Sequence, residues 1–144
     1  MIEIEGNIWD YYGVDNFVVC IPVNSQRDSR GLAIMGAGLA LEAKLKIKGI
    51  ATELGLMLKY GNDVHSLDQG RIRSFPTKYR WKENASLALI QESVYSLGAE
   101  ARGSPDTIFV MTRVGCGLGK LRWEEVKPIL EQLPDNCWVV SYEA

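Results

Sequence analysis

The sequence predicts an α/β domain with helices on both faces of its sheet. Three observations carry this expectation. Two apolar runs, "NFVVCIPVN" (16–24) and "DTIFVMTR" (106–113), are nearly continuous; stretches of helical period separate them; and each run ends in a glycine-rich loop. A continuous apolar run suits a strand buried on both faces, whereas a half-exposed strand would alternate.

The elements follow in order. "MIEIEGNI" alternates weakly and reads as a first strand, and 16–24 is the second. From Gly38 to Tyr60 the apolar residues Leu41, Leu45, Ile50, Leu54 and Leu58 fall near helical spacing, and Gly49 divides the stretch into two helices. "VHSLD" and "RIRSF" read as short strands. Asn84 is the expected N-cap of a third helix, whose Leu87, Ile90, Val94 and Leu97 form one apolar stripe. After the strand at 106–113 come a last helix, "RWEEVKPILEQL", with Trp123 and Val126 facing the core, and a closing strand, "NCWVVSY".

With 144 residues the chain is expected to form one domain, spanning 1–144. A formal charge of −2 argues against wholesale binding to nucleic acid, but "GRIRSFPTKYRWK" (70–82) offers a local basic path. No stretch approaches the roughly 18–20 apolar residues of a membrane span, and no signal-like start is present, so a cytoplasmic location is expected. Cys20 and Cys137 lie in apolar runs and read as buried hydrophobes, while Cys116 stands between two glycines. With His65 as the only histidine, no metal site is expected, and no cofactor is called for.

In an α/β sheet, ligands gather at the carboxyl ends of the strands. That rule selects the loop after Asn24 and the loop after Arg113. Glycine loops leading into helices present backbone N–H groups to an anion. Gly36 and Gly38 start a dinucleotide fingerprint, but Leu41 stands where its last glycine or alanine belongs. Gly31 and Gly36 have P-loop spacing, but Ala37 and Gly38 replace the Lys and Ser/Thr. Neither signature is complete. The two loops side by side, the second being "VGCGLGK", can instead hold a diphosphate between them.

Together, "VN" at a strand end, "MGAGLALEAK", "SFPTK" and "GCGLGKLRWEEV" resemble a macro domain, the ADP-ribose-binding α/β module, over most of the chain. The Pro-Thr-Lys segment and the Trp-Glu run resemble the branch containing terminal ADP-ribose glycohydrolase and antitoxin domains that remove ADP-ribose from DNA. The resemblance implies a three-layer αβα fold whose mixed, mostly parallel sheet has about six strands. It also implies roles. Gly6, Asn7 and Ile8 would lie beside the adenine, and Tyr142 would stack on it. Asn24 would face the distal ribose. Met35, Gly36, Ala37, Gly38 and Leu39 would surround that ribose and its phosphate. Gly115, Cys116, Gly117, Leu118, Gly119 and Lys120 would wrap the diphosphate.

In the resembled branch, a lysine at the place of Lys78 attacks the anomeric carbon of the distal ribose. A neutral amine can capture that electron-poor carbon before water completes the reaction. Burial or nearby cations favour the neutral amine, and Arg71, Arg73 and Arg80 are close in sequence. Trp81 can pack against a base, stack with a cation or serve the core. The chain also departs from the pattern. Gly119 stands where the glycohydrolase has an acidic residue, as in the antitoxin-like members, and Asn7 replaces an aspartate. "SQRDSRGLAI" (25–34) lengthens the first loop, and the Gly-Gly-Gly-Val-Asp motif of other macro-domain hydrolases is absent.

The expected activity is hydrolysis that removes ADP-ribose from a modified macromolecule, nucleic acid (DNA) or protein with nucleic acid ahead, by a monomer using Lys78. The alternatives are a non-catalytic module for ADP-ribose or a related signalling nucleotide, and an α/β domain whose glycine loops are purely architectural.

Overall fold

The computed structural model describes residues 1–142. Its strands are β1 (Ile2–Glu5), β2 (Phe17–Val23), β3 (Ser66–Leu67), β4 (Ile72–Pro76), β5 (Ile108–Met111) and β6 (Cys137–Ser141). They form one six-stranded sheet in the order β1-β6-β5-β2-β4-β3. Every neighbouring pair is parallel except β3 with β4. The helices are α1 (Gly38–Lys46), α2 (Ile50–Met57), α3 (Leu87–Gly103) and α4 (Trp123–Leu130).

The apolar runs are continuous because their strands feed two cores. On β2, Val18 and Cys20 join the core under α3 and α4, while Val19, Ile21 and Val23 join the one under α1 and α2. On β5, Phe109 and Met111 face the first core and Val110 the second. Successive side chains of a strand point to opposite faces, so a strand sandwiched between helices must be apolar throughout. β4 and β5 flank β2. Their parallel direction brings the loops after Val23, Pro76 and Met111 to one rim of the sheet.

Gly49 divides the first helical stretch as expected; it adopts φ +81°, open to glycine at little steric penalty. The third helix begins later than its sequence suggests. Ser86, not Asn84, is the N-cap, accepting from the Leu89 N–H at 3.2 Å. The reason is tertiary. Ala85 N–H donates to Gly119 O at 2.9 Å and Ser86 N–H to Thr77 O at 2.9 Å, so the segment stays extended to residue 86.

The long first loop is a self-supported turn. Asp28 accepts from the N–H groups of Leu32 (3.0 Å) and Arg30 (2.8 Å), which hold its carboxyl below the usual carboxylate range. Ala33 N–H donates to Ala51 O at 2.9 Å, tying the loop to α2. There Gly55 leaves room for it: a Cβ on residue 55 would lie 2.0 Å from Gly31 O and 3.1 Å from Ala33 N. Gly55→Ala is therefore expected to destabilise the protein by about 1–2 kcal/mol in urea unfolding. The steric conflict outweighs the helix-propensity gain of about 1 kcal/mol. An unchanged or raised midpoint would mean that the loop yields to α2.

Candidate functional site

A cleft of about 960 Å³ opens along the rim where β2, β4 and β5 end. Its floor is Pro22, Val23 and Asn24 from β2 and the residue that follows, with Thr77 after β4 and Thr112 after β5. One wall is the first glycine loop, Gly36–Leu39, and the other is the second, with Gly115 and residues Gly117–Lys120. The loops approach closely at Gly38, where a Cβ would meet Leu118 Cδ1 at 3.6 Å.

Asn24 braces its own loop, its Nδ2 donating to Ile34 O at 3.0 Å and its Oδ1 accepting from Gln26 N–H at 2.8 Å. The second loop is held by Cys116 N–H to Arg113 O (3.1 Å), Lys120 N–H to Gly117 O (3.0 Å) and Leu121 N–H to Gly115 O (3.0 Å). Gly115 has φ +77° and Lys120 φ +62°, so the chain turns twice through the left-handed region. Among the described residues, the N–H groups of Gly36, Ala37, Gly117, Leu118 and Gly119 have no protein acceptor. Donors of this kind on glycine-rich loops form a concavity suited to anion oxygens.

A third segment, 77–84, which follows β4, completes the cleft. Ser25 N–H donates to Tyr79 O at 3.1 Å, and Trp81 N–H donates to Gln26 Oε1 at 2.8 Å. Lys78 projects from this segment, its Nζ 3.5 Å from both Trp81 O and Leu118 O, at the outer limit of hydrogen bonding. The amine thus spans from the β4 segment to the second glycine loop. Among the described residues, four cationic ones, Lys78, Lys82, Arg113 and Lys120, line the cleft against one carboxylate, Glu83. That imbalance favours an anionic ligand.

The other residues singled out from the sequence lie elsewhere. Met35 and Ile8 are each 1% exposed and belong to the core under α1 and α2. Asn7 caps a short 3₁₀ turn, Ile8–Tyr11, accepting from Trp9 N–H at 3.0 Å. Tyr142 follows β6 with its ring largely exposed, and neither Asn7 nor Tyr142 lines the cleft. Cys116 leans on the α3/α4 core, and burial pushes its thiol up. Burial also raises the Cys20 thiol and pushes that of Cys137 up to about 12, leaving both inert as nucleophiles.

Three arginines close to Lys78 in sequence have carboxylate partners of their own. Arg73 binds Glu100 at 2.9 Å, Arg71 binds Asp68 at 3.3 Å, and Arg80 lies 4.0 Å from Glu83. Arg71 and Arg73 sit at the amino end of β4, whereas Lys78 follows its carboxyl end. Sequence proximity therefore overstated the cationic surroundings of the amine. Conversely, Thr77, Glu83, Asn84 and Arg113 line the cleft without having been assigned a part in the site. The carboxyl-end rule, extended to the short strand "RIRSF", would have pointed to the first three.

No protein-family model matches the chain. Over 131 residues it is 29% identical to the ADP-ribose glycohydrolase OARD1 of Bos taurus, covering 90% of this chain and 81% of that protein. The Homo sapiens counterpart is 28% identical over the same length, with the same coverage. Among solved structures, the macrodomain of Mycobacterium tuberculosis DarG superposes with TM-score 0.76 at 25% identity, covering 99% of both chains. Thermosipho africanus DarTG in complex with ADP-ribose gives TM-score 0.73 at 16% identity, over 97% of this chain and 41% of that one.

Proposed function

We propose that this chain is a macro domain of the terminal ADP-ribose glycohydrolase and DarG branch, and that it is a hydrolase that removes ADP-ribose from a modified macromolecule, with Lys78 as nucleophile. The observation that carries this reading is the position of the Lys78 amine, in the cleft and within 3.5 Å of the second glycine loop. Similarity to an ADP-ribose glycohydrolase and to a structure holding ADP-ribose supports the ligand.

The unengaged N–H groups of the glycine loops bind the diphosphate, and the distal ribose is directed toward Lys78. The amine lone pair attacks the anomeric carbon while the glycosidic bond to the macromolecule breaks, its electron pair leaving with the departing group, which takes up a proton. Water then attacks the same carbon, the carbon–nitrogen bond breaks, and ADP-ribose leaves with the amine regenerated. Glu83, the one carboxylate among the described residues that lines the cleft, is placed to relay a proton.

Nucleic acid is favoured over protein as the attached macromolecule. A second groove, lined by Gln26, Arg80, Trp81, Lys82 and Glu83, adjoins the cleft and shares three of these residues with it. The Trp81 side chain is 50% exposed, with Lys82 Nζ 5.1 Å from the ring centroid. An exposed indole between cations offers a face to a base and charge to its phosphates. Trp81→Ala is expected to raise KM for an ADP-ribosylated oligonucleotide about tenfold, from loss of one base stack. An equal effect on an ADP-ribosylated protein would count against nucleic acid.

The activity is tested by release of free ADP-ribose from ADP-ribosylated oligonucleotide and ADP-ribosylated protein. One observation favours the binding-only alternative: Glu83, a carboxylate of the cleft, is drawn toward Arg80. Calorimetric binding of ADP-ribose without release from either substrate would select that alternative.

A further inference from the structure

We propose that Asn62 is the positioning residue for Lys78, holding its peptide at the height from which the amine can attack. The proposal rests on Lys78 as the nucleophile. Asn62 lies outside the cleft lining, in the connection between α2 and β3. Its Nδ2 donates to Lys78 O at 3.1 Å, across sixteen residues of chain. On the other side of the same residue, Lys78 N–H reaches Val23 O at 3.4 Å. The backbone of Lys78 is thus held at both its amide and its carbonyl, just beyond the last strand residue, Pro76.

The connection bearing Asn62 is itself anchored to β4. His65 Nε2 donates to Gly61 O at 2.8 Å. Ser74, in the middle of β4, uses one hydroxyl twice: its Oγ accepts from His65 N–H at 2.8 Å and donates to Asp63 O at 3.0 Å. Gly61 makes the turn with φ +117°, and a Cβ there would meet Asp63 Oδ2 at 2.6 Å. A polar strut therefore runs from Ser74 through residues 61–65 to the carbonyl of Lys78, independent of the glycine loops.

What separates this from ordinary loop bracing is the other end of the amide. Asn62 Oδ1 is the one buried side-chain polar atom among the described residues without a hydrogen-bond partner. A buried acceptor left unpaired is unfavourable, and leucine would fill a similar volume without it. Asparagine is retained against that penalty for the one thing leucine lacks, the donor to Lys78 O. Rule-breaking of this kind belongs to sites that trade stability for function. The side chain of Lys78 has several free torsions, so the direction of its Cα–Cβ bond decides where the amine can reach.

The test compares Asn62→Leu, Asn62→Asp and Lys78→Ala with the wild type on an ADP-ribosylated oligonucleotide, with thermal denaturation of each. Both Asn62 variants lack the donor. Each is expected to lower kcat on the order of 10- to 100-fold, the scale of an ångström misplacement, with KM within about twofold. Asn62→Leu is expected to keep or raise the thermal midpoint, because the unpaired carbonyl is gone. A merely structural asparagine would instead lose stability and leave kcat of the folded fraction intact. Should the leucine variant not fold, the aspartate variant decides by its split between kcat and KM. Full kcat in a folded Asn62 variant, with Lys78→Ala inactive, overturns the positioning role alone. Equal turnover by wild type and Lys78→Ala overturns the nucleophile, and this proposal with it.

Discussion

Lys78→Ala is expected to lower turnover of an ADP-ribosylated substrate by at least about 10³-fold while leaving the Kd for ADP-ribose within a few fold. That loss corresponds to roughly 4 kcal/mol of transition-state stabilisation. The split follows from the geometry. The diphosphate is assigned to main-chain donors of the glycine loops, which the substitution does not touch. The backbone of residue 78 stays anchored through Val23 O and Asn62 Nδ2. The side chain beyond Cβ is removed, and the two contacts of its amine at 3.5 Å are too long to contribute much to folding. Lys78→Arg sharpens the test, since it retains the charge without a comparable nucleophile. Both variants inactive, with an ADP-ribosyl adduct detected by intact mass only in the wild type, is the expected pattern. Full activity of Lys78→Ala would end the covalent reading, and activity of Lys78→Arg alone would reduce the lysine to an electrostatic role.

Gly119→Asp is expected to lose ADP-ribose binding and about 2–3 kcal/mol of stability, seen as a thermal midpoint lower by roughly 5–10 °C. The substitution introduces the acidic residue that the resemblance to the glycohydrolase implies at this place. Here there is no room for it. A Cβ on residue 119 would stand 2.5 Å from Gly115 O and 2.7 Å from Ala85 Cβ. Relief requires moving main chain that is already bonded: Ala85 N–H to Gly119 O at 2.9 Å, or Leu121 N–H to Gly115 O at 3.0 Å. Either shift displaces the N–H groups assigned to the diphosphate. Calorimetry with ADP-ribose and thermal denaturation report the two losses separately. A stable, binding-competent Gly119→Asp protein would show that the loop is plastic and that glycine is not required by packing.

The glycine loops and the strands preceding them were legible because their signals are local. Apolar continuity in 16–24 and 106–113 follows from burial on both faces, and glycine at 36, 38, 115, 117 and 119 marks backbone that must turn or approach a ligand. The sequence alone could not divide the loop residues by direction. Met35 and Gly36 are adjacent, yet one faces the core and the other the cleft. The lengthened first loop was also opaque. Its Asp28 turn and its seat against Gly55 make it a brace.

By itself the sequence determined the α/β class, the two glycine loops, and Lys78 as the residue to test, because periodicity, glycine and a short motif are properties of neighbouring residues. The tertiary structure decided what surrounds Lys78. It drew Arg71 and Arg73 away to Asp68 and Glu100, delayed α3 to Ser86, closed the space beside Gly119, and brought Asn62 beneath the lysine carbonyl. Each of these depends on a partner distant in the chain. Hydrogen bonds and steric contacts act over a few ångströms of space and are set by how the strands are ordered in the sheet, which no local pattern of residues specifies.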